Sequence, residues 1–205
     1  MKASSGQDRA HQDLPDILTD ESLLERAGRG DEAAFRLLYE RHRDAMYRFA
    51  YRLLGSSAAA EDATHDCFLS LIKHPERFDP KRAQLRTYLY AAVRHQALKQ
   101  FRRTGHEGAL EELAGEPRAS KANEPLGQLL ASELSREVER AVRGLPPLQR
   151  EALILFEYEE LSLAEIAEIV SADVGTVKSR LWRARESLRK MLAPYLSGSA
   201  AKKLR

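Results

Sequence analysis

The stretch LSLAEIAEIVSADVGTVKSRLWRARESLRKML, Leu161 to Leu192, constrains its half of the chain more tightly than any other segment. Ser162 followed three residues later by Glu165 is a capping box, which fixes a helix start. Leu163, Ile166, Ala167 and Val170 then recur at spacings of three and four, the apolar face of a short helix. Ser171 and Ala172 make the turn, and Asp173 is a good N-cap for a second helix. In that helix Val174, Val177, Leu181, Ala184 and Leu188 form the inner face. Two short helices with so tight a turn between them give the helix-turn-helix geometry.

The outer face of the second helix follows from helical phase. At about 100° per residue, Thr176, Ser179, Arg180 and Arg183 fall on one flank, and Lys178, Trp182, Arg185 and Arg189 on the other. Such side chains grip phosphates and base edges, and they begin in the first turns, where a recognition helix enters the major groove. A solvated charged face is the usual reason for basic residues on a helix. Here no acid interrupts the basic run until Glu186, and Trp182 stands away from the apolar stripe. DNA binding is the better explanation.

The remaining sequence reads as helical too. The chain has 205 residues, 43% hydrophobic and 31% charged, room for one ordinary domain or two small ones. Residues 1–18 are polar and unpatterned, a disordered tail. Phe35, Leu38, Tyr39, His42, Met46, Phe49, Ala50 and Leu53 mark a long amphipathic helix. Ser57 reads as the N-cap of the next helix, through about Lys73. HPERFDPKRAQ, with two prolines, reads as a loop, and a further helix spans Gln84 to Arg103. Residues 105–132 are rich in Gly, Pro, Ala and Glu and lack aromatics, a flexible acidic linker. Helical patterning returns over 133–196, interrupted at GLPP and EYEEL, before a tail at 197–205. The expectation is an all-α protein of two small helical domains joined by that linker.

In LRTYLYAAVRHQALKQFRR, Leu85, Leu89, Ala92 and Val93 line one face. Tyr88, Ala91, His95, Lys99 and Arg102 line an adjacent one. An aromatic ring with basic groups on one stripe suits single-stranded DNA, since bases stack on rings while cations meet the backbone.

Taken in order, GDEAAFRLLYERH, AEDATHDCFLSLIKH, LRTYLYAAVRHQALKQFRR and LPPLQREALILFEYEELSLAEIAEIVSADVGTVKSRLWRARESL resemble the extracytoplasmic-function (ECF) group of bacterial RNA polymerase sigma factors. The resemblance runs from about Asp20 to Tyr195. It implies a sigma-two-like domain over 19–104 and a sigma-four-like domain over 133–196, with the linker where larger relatives carry a sigma-three domain. The implied partners are core RNA polymerase, through its β′ clamp helices and β flap, and promoter DNA; whether an anti-sigma factor holds the protein is left open. Glu61, Asp62, His65, Asp66 and Phe68 match the segment that docks on the clamp helices. The loop from Arg77 to Arg86 matches the one that captures an extruded base of the minus-ten element. Tyr88, Arg94, His95, Lys99 and Arg102 match the helix facing the melted strand. Thr176, Lys178, Ser179, Arg180 and Arg183 match positions at the minus-thirty-five element. Relatives usually carry Trp, Asn and Asp where this chain has Tyr88, His95 and Lys99, Gln at His65, and Gly at Ser171. The resemblance also implies that the linker runs through the basic active-site channel of the polymerase.

His65, Cys67, His74, Asp62 and Asp66 cluster in sequence, but His65 and Cys67 fall on nearly opposite sides of one helix and no second ligand arm follows. No glycine-rich phosphate loop, Gly-x-Ser-x-Gly or His-Glu-x-x-His occurs, so no enzyme, metal or cofactor is expected. A single cysteine, no run of about 18 apolar residues and a polar N-terminus point to a cytoplasmic protein without membrane insertion. A free-standing helix-turn-helix regulator with a helical sensor or partner-binding domain explains the second half equally well. The acidic flank and the aromatic-basic helix upstream favour the sigma reading.

Overall fold

The computed structural model describes residues 18–103 and 127–201, and all regular structure among them is helical. The first half is a bundle of α1 (Asp20–Gly28), α2 (Glu32–Leu54), α3 (Ser57–Lys73) and α4 (Leu85–Arg103), with a 3-10 turn at Pro75–Arg77. The second half holds α5 (Gly127–Arg143), α6 (Pro147–Leu153), α7 (Leu163–Ile169) and α8 (Val174–Ala201), with a π-helical turn at Ile154–Tyr158.

Capping residues decide where the first helices begin. Thr19 accepts the Ser22 N–H at 3.2 Å to open α1. Asp31 accepts the Ala34 N–H at 3.0 Å to open α2, and its other oxygen takes Arg26 of α1 at 2.7 Å. The cap thus also fixes the angle between the two helices. Gly55, at φ 73°, ends α2 in the left-handed conformation that glycine adopts without penalty. That turn leaves Ser56 extended, and its hydroxyl, not that of Ser57, accepts the Ala59 N–H at 3.3 Å. Ser57 is the first helical residue instead.

The apolar stripes meet as helical periodicity requires. Leu38, Met46, Phe49, Ala50 and Leu53 of α2 are buried, as are Leu85, Leu89 and Val93 of α4. His42 is also inside, its Nε2 2.7 Å from Asp20 Oδ2. Ala92 is only half-buried, while Tyr90, outside the expected stripe, has no exposed surface. In α8, Val177, Leu181 and Ala184 are buried but Val174 remains 37% exposed, because it begins the helix before α7 covers that face.

Two expectations about the ends of segments change. Residues 104–126 lie outside the described part, and Gly127 already opens α5, so the last residues assigned to the linker are helical. Likewise α8 continues to Ala201, into the stretch read as a tail. The two halves are also not held by a tether alone. α4 packs against α7, α2 meets the π-helical turn, and the buried apolar residues form one cluster through both halves.

Cys67 of α3 lies in this core at 1% exposure, its Sγ 3.8 Å from the Leu89 carbonyl. Burial pushes its thiol up to about 12. At pH 8 such a thiol is thiolate in only ~10⁻⁴ of molecules, against roughly a quarter for an ordinary cysteine. Native protein should therefore react with Ellman's reagent at least ~1,000-fold more slowly than protein in urea. Comparable rates in the two states would show the core around α3 to be open.

Candidate nucleic-acid interface

The helix-turn-helix is built as its caps dictate. Ser162 Oγ accepts the Glu165 N–H at 3.3 Å, and Glu165 Oε2 accepts the Ser162 N–H at 2.8 Å, closing the capping box. Ile166, Ala167, Ile169 and Val170 are buried beneath α7. The chain then turns at Ser171, whose φ of 52° is left-handed, the conformation for which glycine is better suited. Asp173 Oδ1 accepts the Thr176 N–H at 2.8 Å and starts α8. Any side chain at Gly175 would place a Cβ 2.9 Å from that same oxygen, so the cap and the glycine belong together.

The expected recognition residues of α8 do not share one environment. Lys178, Ser179, Trp182 and Arg183 are exposed and line one shallow depression. Neither Lys178 nor Arg183 has a carboxylate partner among the described residues. Thr176 is half-buried and its hydroxyl donates to Asp173 Oδ2 at 2.6 Å, so it serves the cap. Ser179 donates to the Gly175 carbonyl at 3.0 Å. Arg180 is half-buried, and its Nη1 is buried without a hydrogen-bond partner, on the side of the helix near Glu151. It must rotate outward to reach a ligand. Arg185 is held by Glu157 at 2.7 Å and lies over the Phe156 ring at 5.2 Å.

Trp182 is the residue that sequence reasoning left out of the candidate set. At 68% exposure it is the most exposed large apolar side chain among the described residues. A bare indole between two unpaired cations marks an interaction surface better than any single charge does. Its signal was already its position off the apolar stripe.

On α4 the expected residues split between two flanks. Tyr88, His95 and Lys99 share one: His95 and Lys99 are exposed, and half-buried Tyr88 packs edge-on against Phe78 at 5.5 Å. Burial raises the Tyr88 hydroxyl above its ordinary pKa, so this ring stays neutral. Arg86 and Arg94, about 160° and 120° around the helix from Tyr88, point at the second half. There Arg86 donates to the Glu159 carbonyl and Arg94 pairs with Glu151. The side chain of Arg102 and the linker residues 105–126 lie outside the described part. On α3, Glu61, Asp62, His65 and Asp66 are exposed along one flank. Phe68 does not join them. It is 1% exposed and meets Tyr39 at 4.9 Å, because its helical phase matches Ala60, Thr64 and Leu71 of the core.

Two family descriptions match the two halves: Sigma-70 region 2 over residues 38–107 and Sigma-70, region 4 over residues 135–188. The ECF RNA polymerase sigma factor SigW of Bacillus subtilis is 30% identical over 177 residues, covering 82% of this chain and 94% of that protein. The chain belongs to the ECF sigma factors. The ECF RNA polymerase sigma-E factor of Haemophilus influenzae is likewise 30% identical over 191 residues, covering 89% of this chain and all of that one. Among solved structures, the sigma factor RpoE of Bartonella quintana, in complex with the anti-sigma factor NepR, is 26% identical with a TM-score of 0.59. It covers 78% of this chain and 96% of that one. CnrH, solved with the cytosolic domain of CnrY, shares the fold at 23% identity and a TM-score of 0.63, over 85% of this chain and 97% of that one. The protein is thus an RNA polymerase sigma factor of the region-two, region-four type, and the free-standing regulator is set aside.

The cap of this sigma factor's recognition helix should titrate. The Thr176 hydroxyl and then the Thr176 N–H hold the Asp173 carboxyl below its usual range. A carboxylate depressed in the folded state stabilises above its unfolded pKa and loses that contribution as pH falls through the folded one. Asp173→Asn keeps the acceptor but cannot titrate. The stability advantage of the parent over this variant should therefore be full near neutral pH and shrink below the ordinary carboxylate value of 3.8. Urea denaturation at a series of pH values measures it, and a pH-independent difference would count against the cap.

Proposed function

We propose that this sigma factor docks on core polymerase through the acidic flank of α3 and reads promoter DNA with α8 and the outer stripe of α4. The observation that carries the reading is the exposed group of Lys178, Ser179, Trp182 and Arg183 on the first turns of a helix-turn-helix second helix. There the cations meet phosphates and base edges of the minus-thirty-five element. Arg180 joins them once turned outward, and Thr176 sets the helix start that approaches the backbone. Tyr88, His95 and Lys99 face the minus-ten element, where a ring offers a stacking surface for an unpaired base. Glu61, Asp62, His65 and Asp66 form the docking flank for the β′ clamp helices, and the second domain meets the β flap.

The protein acts by binding and not by catalysis, in the cytoplasm with the polymerase. Its first domain spans 19–104 and its second 133–196. Two relatives of the same fold were solved with partners, RpoE with an anti-sigma factor and CnrH with CnrY, which supports a similar captor for this chain.

Permanganate footprinting of a cognate promoter tests the reading, with protein alone, core alone and both together. Unpaired thymines near the start site should appear only in the third sample; their absence there would sink it. Lys178→Ala and Arg183→Ala should each cost about 1–3 kcal/mol of promoter binding if the side chain reads a base. A contact to phosphate alone should instead weaken all sequences alike and flatten the salt dependence. Asp62→Lys with Asp66→Lys should weaken capture of core polymerase while leaving far-ultraviolet circular dichroism unchanged. Equal capture by variant and parent would leave these acids as mere solvating charges.

A further inference from the structure

The polar part of the contact between the two halves is built from cations on one side and carboxylates on the other. Glu159, just past the π-helical turn, is 4% exposed. One of its carboxylate oxygens accepts from Arg52 Nη1 at 3.1 Å and the other from the Tyr90 hydroxyl at 2.7 Å. Its backbone carbonyl accepts from Arg86 Nη2. Glu151, 3% exposed, accepts from Arg94 Nε. Arg52 also lies over the Tyr158 ring at 4.5 Å, and Arg86 over the Tyr90 ring at 5.6 Å. Every donor belongs to the first half and every acceptor to the second.

Seen from the first half, this is a surface of donors alone. None of Arg52, Arg86 and Arg94 pairs with a carboxylate of its own bundle among the described residues. Planar guanidinium groups are suited to oxyanions with several acceptor oxygens, phosphate as much as carboxylate. Removing such pairs from water costs nearly what the attraction returns, so stability alone is a weak reason for the arrangement. Desolvation holds Glu151 above the usual carboxylate range despite Arg94 beside it. An anion held on such terms can be exchanged for another.

We infer that Arg52, Arg86 and Arg94, with the Tyr90 hydroxyl, form a second DNA-backbone site, and that Glu151 and Glu159 occupy it as internal phosphate mimics. In the closed state the carboxylates stand where phosphates go, and the region-four half covers the site. DNA binding and closure then compete for the same donors, and the free protein is restrained by its own second half. This rests on the reading that α4 meets promoter DNA. It adds Arg52, which lies on α2 outside the expected minus-ten set, and it gives Arg86 and Arg94 a different surface from Tyr88, His95 and Lys99.

The test uses the full chain, carrying a donor and an acceptor dye on Asp44→Cys and Glu168→Cys, both exposed and one in each half. Buried Cys67 does not label. The DNA probe is a fluorescein-labelled oligothymidine, measured by anisotropy on undyed protein; it offers a backbone without duplex for α8 to read. Glu151→Gln with Glu159→Gln should lower energy transfer. If about nine molecules in ten are closed in the parent, it should also tighten oligothymidine binding about tenfold. Arg52→Gln should lower energy transfer as well, yet bind oligothymidine no better than the parent, because it removes a donor and not the competitor. Saturating oligothymidine should open the parent itself. An open double-Gln variant with parental DNA affinity would overturn the inference, as would a parent whose energy transfer ignores the oligonucleotide. Should the double variant fail to fold, Glu159→Gln alone removes one competitor and no donor of the site, and should shift both signals the same way; no shift in either overturns the inference equally. The footprint with core polymerase is a separate readout, so failure here leaves the sigma reading standing.

Discussion

Two buried carboxylates organise the middle of this protein. Charge removed from water must be met by donors or it is neutralised, and among the described residues Glu151 and Glu159 take their side-chain hydrogen bonds from the opposite bundle. That requirement fixes the phase of α4, since Arg86, Tyr90 and Arg94 must follow one another at intervals of four along a single stripe. It also accounts for the break after α6. The π-helical turn, with the Glu159 N–H bonded to the Ile154 carbonyl at 3.2 Å, brings Glu159 to the partner face. Glu160 then takes a left-handed φ of 54°, a conformation costing roughly 1–2 kcal/mol for a residue with a side chain.

What the sequence revealed was what local spacing controls. The capping box at Ser162 and Glu165, the cap at Asp173 and the stripes of α2 and α8 all involve residues within four positions of one another. Their geometry follows from the helix alone. Ser56 took the cap expected of Ser57 because the left-handed Gly55, not the order of the two serines, decides which one remains extended. Family position puts Phe68 on the docking flank, although its spacing from Ala60, Thr64 and Leu71 directs it inward. The contact between halves joins residues 57 to 107 positions apart, beyond the reach of any periodicity. Its one trace is chemical: Glu151 is an acid at the head of the apolar run ALIL.

The recognition helix serves two masters along one length. Its inner residues Val177, Leu181 and Ala184 anchor it to the core, which leaves the adjacent pairs Lys178–Ser179 and Trp182–Arg183 exposed. Arg180 lies between these sets, with a guanidinium nitrogen buried and unpartnered. Leaving a buried donor in that state costs about 1–3 kcal/mol. Turning toward solvent or a nucleic acid relieves it, so the side chain is biased toward the partner before any partner arrives.

Trp182 has an optical consequence. It is the chain's one tryptophan, and it stands 68% exposed on α8. Indole emission from this protein is therefore almost blind to the packing of either bundle. It reports on whatever covers that helix face: water in the free protein, or a stacked or occluding partner in a complex. The chain carries its own occupancy probe at the surface where occupancy matters, and needs no attached dye to show when that surface is filled.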